Sequence, residues 1–93
     1  MIISSTLISI LTSVSNPTYD KDIKPIFEAK CAMCHHPGWA DKNWLNYDIA
    51  KRDKDRIKQR VVKEKTMPPG NITDLSEEER ELIGKWVDQG AKK

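Results

Sequence analysis

No stretch of the sequence alternates apolar and polar residues long enough to make a half-buried strand, so sheet-based folds are excluded and the expected fold class is all-α. Large apolar side chains are also scarce: one Phe, two Tyr and three Trp, with only 38% of the 93 residues hydrophobic. A chain this short builds a marginal core unless a disulfide, a metal or a cofactor adds to it. No apolar run reaches the roughly 20 residues that span a bilayer, and no segment repeats. The net charge is only +2 although 32% of residues are charged. That balance is too even for a nucleic-acid binder relying on a basic excess, and no nucleic-acid motif is present. The two cysteines and two histidines of the chain all fall within "CAMCHH", Cys31 to His36.

Residues Met1 to Ser15, "MIISSTLISILTSVS", carry no charge and give way abruptly to "NPTYDKD". The segment has the form of the apolar part of an export signal, with Ser13 and Ser15 as small residues before a cleavage site, although no Lys or Arg precedes it. The expected organisation is therefore a signal peptide or apolar tail over 1–15 and one domain over 16–93, with no membrane span in the mature chain. Export would bring the two cysteines into an oxidising compartment, where an unprotected pair tends to become a disulfide.

Helical spacing of Ile23, Ile26, Phe27 and Lys30/Cys31 predicts a first helix over Asp20 to Lys30. Asp20 or Asp22 is the expected cap, and Pro25 favours a late start, because proline fits only a helix's first turn. "PGWADKNWLN", Pro37 to Asn46, reads as a loop. A second, largely solvated helix is expected over Asp48 to Lys63, with Ile49, Ile57 and Val61 as a thin apolar stripe. "TMPPGN" stops it and presents Met67 on a loop stiffened by two prolines. Ser76 followed by Glu79 forms a capping box for a last helix that buries Leu82, Ile83, Trp86 and Val87 and ends at Gly90.

"CAMCH" is a C-x-x-C-H sequence, the attachment motif of c-type haem. Cysteines three apart on one helical turn point the same way and can each form a thioether with one vinyl group of a single haem. His35 then comes beneath the ring plane as an axial ligand of the iron. A zinc site built from Cys31, Cys34, His35 and His36 competes, but structural zinc normally uses two separated ligand pairs. A thioredoxin-like redox pair would follow a strand in a βαβ unit, and none is evident.

The order "DIKPIFEAKCAMCH", a loop, "MPPG" and a final "LIGKWVDQGA" resembles a class I monohaem cytochrome c of the small bacterial periplasmic type, over about Thr18 to Ala91. The resemblance implies about three helices wrapped around one covalently attached haem, the first and last crossing at an aromatic contact that Phe27 and Trp86 would make here. It implies one-electron transfer between periplasmic redox partner proteins, with no substrate transformed. It also implies Met67 as the second axial ligand. The chemistry agrees: a thioether is a soft donor favouring ferrous iron, and Met33 lies too close to Cys31 and Cys34 to reach the opposite haem face. Filling a gap in the core is the ordinary alternative role for Met67. Bis-histidine ligation would need a distant histidine, and His36 is adjacent to His35. Trp44 is the expected donor to a haem propionate, with Trp39 and Tyr47 also near; all three could instead simply pack the core. The basic run from Lys51 to Lys65 could steer an acidic redox partner, or be a solvated helix face. The alternative function is a haem domain with an open iron position for peroxide chemistry or gas binding.

Overall fold

The computed structural model describes residues 14–31, 35, 38 and 40–93, so the expected signal segment lies almost wholly outside the described residues, as do Cys34, His36 and Trp39. Among the described residues every regular element is helical. A π turn, Tyr19–Ile23, leads into α1, Lys24–Lys30; a 3-10 turn, Ala40–Lys42, follows; then come α2, Tyr47–Arg52, and α3, Lys54–Ile57, which continues as a π turn, Lys58–Lys63. A 3-10 turn, Pro69–Asn71, and α4, Glu77–Asp88, complete the chain. The all-α expectation holds, and no helix among the described residues is long and apolar enough to cross a membrane.

The first helical segment begins at Tyr19, ahead of the start that Pro25 suggests. The reason is its wide opening turn. The carbonyl of Thr18 accepts from both Asp22 N–H (2.9 Å) and Ile23 N–H (3.2 Å), and Lys24 N–H bonds Tyr19 O. The α ladder thus starts only at Lys24, and the N–H that Pro25 lacks leaves no gap in it. Asp22 is not the N-cap, but its Oδ2 accepts the N–H of the capping residue Thr18 at 2.9 Å. The next two donors are met from the far end of the chain: Tyr19 and Asp20 N–H donate to the main-chain oxygens of Lys92 (2.8 Å) and Lys93 (2.9 Å). Such groups at a helix start otherwise need water or a side chain.

At α4 local chemistry decides both ends. Ser76 and Glu79 form the reciprocal capping box. At the other end Ala91 N–H bonds Trp86 O at 2.8 Å and Gly90 N–H bonds Val87 O at 3.0 Å, with Gly90 at φ 97°. That left-handed turn is open to glycine at little steric cost.

The buried face of α4 meets α1 in a cluster of rings. Phe27 and Trp86, both fully buried, cross edge to face with centroids 6.3 Å apart and planes at 84°. Tyr19 lies 6.0 Å from Trp86 and 6.3 Å from Phe27, and its O–H donates to Trp44 O at 2.6 Å. Burial, aided by the carboxylates of Asp20 and Glu28, pushes the Tyr19 phenol up to about 12. It therefore stays protonated and donating across the physiological range.

The helix expected over Asp48 to Lys63 is two helices with a break at Asp53, which sits at φ −93°, ψ 9°. Aspartate competes with helical hydrogen bonding through its own side chain, and here the carboxylate turns inward. Asn46 caps α2 by accepting from Ile49 N–H at 3.1 Å. Beyond α3 the chain passes close to α4, where Gly84 faces Val62; a Cβ at Gly84 would meet both Val62 methyls at 3.5 Å, ordinary contact. Gly84→Ala should therefore be neutral or stabilising by up to about 1 kcal/mol through helix propensity. Urea unfolding checks this, and a clear loss of stability would show that the two segments pack more tightly than these distances indicate.

Candidate functional site

Cys31 ends α1: its N–H bonds Phe27 O at 2.9 Å, and its side chain is buried. The C-terminal turn of the helix thus delivers the first cysteine of the motif to the protein interior. His35 N–H bonds Cys31 O at 2.9 Å, and its imidazole is 5% exposed.

Two contacts fix that imidazole. Nδ1 lies 2.9 Å from Lys42 O, on the 3-10 turn. A carbonyl can only accept, so Nδ1 carries the proton and Nε2 the lone pair, the tautomer a metal ligand needs. The ring also stacks on Trp44, centroids 3.5 Å apart and planes within 4°. Trp44 is held in turn, since its indole N–H donates to Asp53 Oδ2 at 3.1 Å, the partner the structure shows for the group that the sequence suggests would serve a propionate. Arg52 Nε and Nη2 hold the same carboxylate at 3.0 and 3.2 Å. Burial pushes the Asp53 carboxyl up, but the hydrogen bonds from Arg52 and Trp44 and the charges of Arg52 and Lys42 outweigh it, leaving the group below the usual carboxylate range.

Met67 is half-buried against the core, on the loop that the two prolines follow. Its carbonyl accepts from Arg80 Nη1 at 3.0 Å, and its N–H reaches Arg60 O at 3.3 Å. Farther along, Gly70 and Asn71 take left-handed conformations (φ 58° and 51°), and Asn71 Oδ1 accepts Leu75 N–H at 2.9 Å. The strap is pinned to the end of α1: Thr73 Oγ1 donates to Lys30 O at 2.6 Å, and Lys30 Nζ to Asp74 O at 2.8 Å. Lys30 precedes Cys31, so the Met67 strap and the cysteine motif are fastened at one place.

Tyr47 is turned to another task. Its O–H donates to Ala91 O at 2.7 Å, and its ring packs 5.3 Å from Tyr19. The basic run is largely returned to acids of the same chain: Arg52 to Asp41 and Asp53, Lys54 to Asp55, Lys58 to Asp88, Arg60 to Glu64, Lys65 to Glu77. Pairs at such exposure each contribute little, and the arrangement is that of a solvated face.

Three residues matter more than sequence reasoning allotted them: Lys42, Asp53 and Arg80. Lys42 contributes only a carbonyl, which no side-chain pattern marks. Asp53 had a faint signal, a helix-disfavouring residue in the middle of the expected helix, between Ile49 and Ile57. Arg80 had a better one, since it lies three residues before Ile83 and seven before Val87, on the buried stripe itself.

The donor set suits an iron porphyrin: a cysteine thiol at a buried helix end, an imidazole with its lone pair on Nε2, and a thioether on a tethered strap. The family model described as Cytochrome C oxidase, cbb3-type, subunit III matches residues 20–87. No curated protein and no solved structure matches the chain.

Proposed function

We propose that this chain, which belongs to the Cytochrome C oxidase, cbb3-type, subunit III family, is an exported single-haem electron carrier working between redox partner proteins of the periplasm. The chain is a class I cytochrome c-like domain, and such a domain holds haem c covalently. When bound, the haem supplies one-electron chemistry between ferric and ferrous iron. In the proposal Cys31 and Cys34 would tether the group, His35 and Met67 would hold its iron, and Trp44 would steady the imidazole. The observation that carries the reading is the commitment of His35 Nδ1 to Lys42 O, beside a stacked Trp44, in a chain with the C-x-x-C-H motif. That pairing orients the ring and raises the basicity of Nε2 as a donor.

The rest of the chain limits reorganisation around the group. Trp44, His35 and Phe27 form a buried run of rings, and the strap bonds to α1 and α4 hold the Met67 backbone in place. A thioether ligand favours ferrous iron and so raises the potential relative to harder donors.

The test uses protein matured in a host with c-type haem attachment machinery. Wild type should be low-spin with a methionine-to-iron charge-transfer band. Met67→Ala should lose the band, and its reduction potential should fall by on the order of 0.1 V or more, within the roughly 0.8 V range that axial ligands govern. A high-spin wild type unchanged by the substitution would remove Met67 from the iron and favour an open position for peroxide or gas.

A further inference from the structure

We propose that Arg80 is the positioning residue for Met67, a buried guanidinium that holds the ligand-bearing backbone in place; the role rests on the reading of Met67 as an axial ligand. Arg80 is 4% exposed, and arginine is almost never buried so fully unless paired. Its Nη1 donates to Val61 O at 2.6 Å and to Met67 O at 3.0 Å, and its Nη2 to Asn71 Oδ1 at 3.3 Å. The nearest carboxylate, Glu77, is 3.8 Å from Nε on a side chain 60% exposed. The cation is therefore compensated chiefly by oxygens of the strap and its base, not by a buried counter-ion.

The choice of partners gives the arrangement its meaning. Val61 lies in the π turn that leads into the strap, Met67 is the strap's ligand residue, and Asn71 closes its far side by also accepting Leu75 N–H at 2.9 Å. One planar fork on the rigid helix α4 thus fixes the beginning, middle and end of the segment. The other main-chain bond at Met67, its N–H to Arg60 O, is long at 3.3 Å, so the Arg80 bond is the firmer tether. A lysine keeps the charge but not the fork.

A tether of this kind sets how often Met67 leaves the iron. An outside ligand can bind only to the released fraction, so its observed affinity rises in proportion to that fraction. The experiment measures imidazole binding to the ferric holoprotein by visible absorbance, together with urea midpoints, for wild type, Arg80→Lys, Arg80→Gln, Met67→Ala and Ile83→Val. Ile83 is buried on the same helix and cannot hydrogen-bond the strap, so its variant registers helix destabilisation alone. Arg80→Lys and Arg80→Gln should bind imidazole about tenfold more tightly than wild type or better, the scale of losing a charge-assisted hydrogen bond, while Ile83→Val stays at the wild-type affinity. Arg80→Lys carries the test if Arg80→Gln fails to fold. If Arg80→Lys binds like wild type while Met67→Ala binds much more tightly, the positioning role is wrong and the ligand assignment stands. If wild type and Met67→Ala bind imidazole alike, the ligand assignment fails and the role of Arg80 falls with it.

Discussion

Trp86→Ala is expected to lower the stability of the domain by about 3–5 kcal/mol, the usual cost of truncating a fully buried tryptophan. For a domain of this size, whose whole stability is on the order of 5–14 kcal/mol, that is a large share. The indole is fully buried, contacts both Tyr19 and Phe27, and donates its N–H to Lys92 O at 2.9 Å. That last bond extends the effect beyond packing. Lys92 O also receives Tyr19 N–H, so the tryptophan holds the C-terminal tail where it caps the first helical segment. Its removal opens a cavity and loosens that cap in one step. Trp86→Phe keeps an aromatic ring at the crossing but loses the N–H and part of the indole's bulk, and should cost less than Trp86→Ala, about 2–3 kcal/mol. Urea unfolding of the holoprotein followed by far-UV circular dichroism measures both. A Trp86→Ala loss below about 1 kcal/mol would mean that the crossing of α1 and α4 is not the centre of the core.

The same residues show which parts of the molecule can be read from sequence. Ser76, Glu79 and Gly90 act on backbone within a few residues of themselves, so the ends of α4 are legible as local chemistry. Phe27 and Trp86 are legible as members of periodic apolar faces. The C-x-x-C-H motif is legible because the chemistry it serves demands that spacing. What sequence does not convey is any bond made across the fold. The start of the first segment depends on oxygens of Lys92 and Lys93, more than seventy residues away. The break at Asp53 depends on where the Trp44 indole ends up. The position of Arg80 on the buried stripe of α4 can be read from "SEEERELI", but its partners cannot until the carbonyls of Val61 and Met67 are found around it. In each case a polar group is satisfied by a partner whose position only the assembled fold determines, and hydropathy assigns such groups to the surface by default.

Asp53 brings this logic to a measurable pH dependence. Asp53→Ala should cost about 2–3 kcal/mol, because it strands the buried N–H of Trp44 and leaves Arg52 without its closest carboxylate. Most of that loss belongs to the tryptophan bond, since the Arg52 side chain is 50% exposed and pairs of such exposure contribute little. Asp53→Asn keeps an oxygen for the indole and removes only the charge, so it should cost well under half as much. The acid response follows from the sign of the shift. The folded state holds the Asp53 carboxyl below its ordinary range, so the unfolded chain takes up the proton first, near pH 3.9. The contribution is fully present above that value and is lost as the pH falls through the lower folded pKa. Wild type and Asp53→Asn should therefore differ most near neutrality and converge in acid, below about pH 4. A difference that stays constant from pH 7 into that range would show that the carboxylate charge is not what the site uses. Because Trp44 stacks on His35, the variants also test whether the ring needs its anchor. With the indole released, the imidazole keeps Lys42 O but loses the fixed surface beside it, and the reduction potential of Asp53→Ala should move further than that of Asp53→Asn, which loses the charge alone.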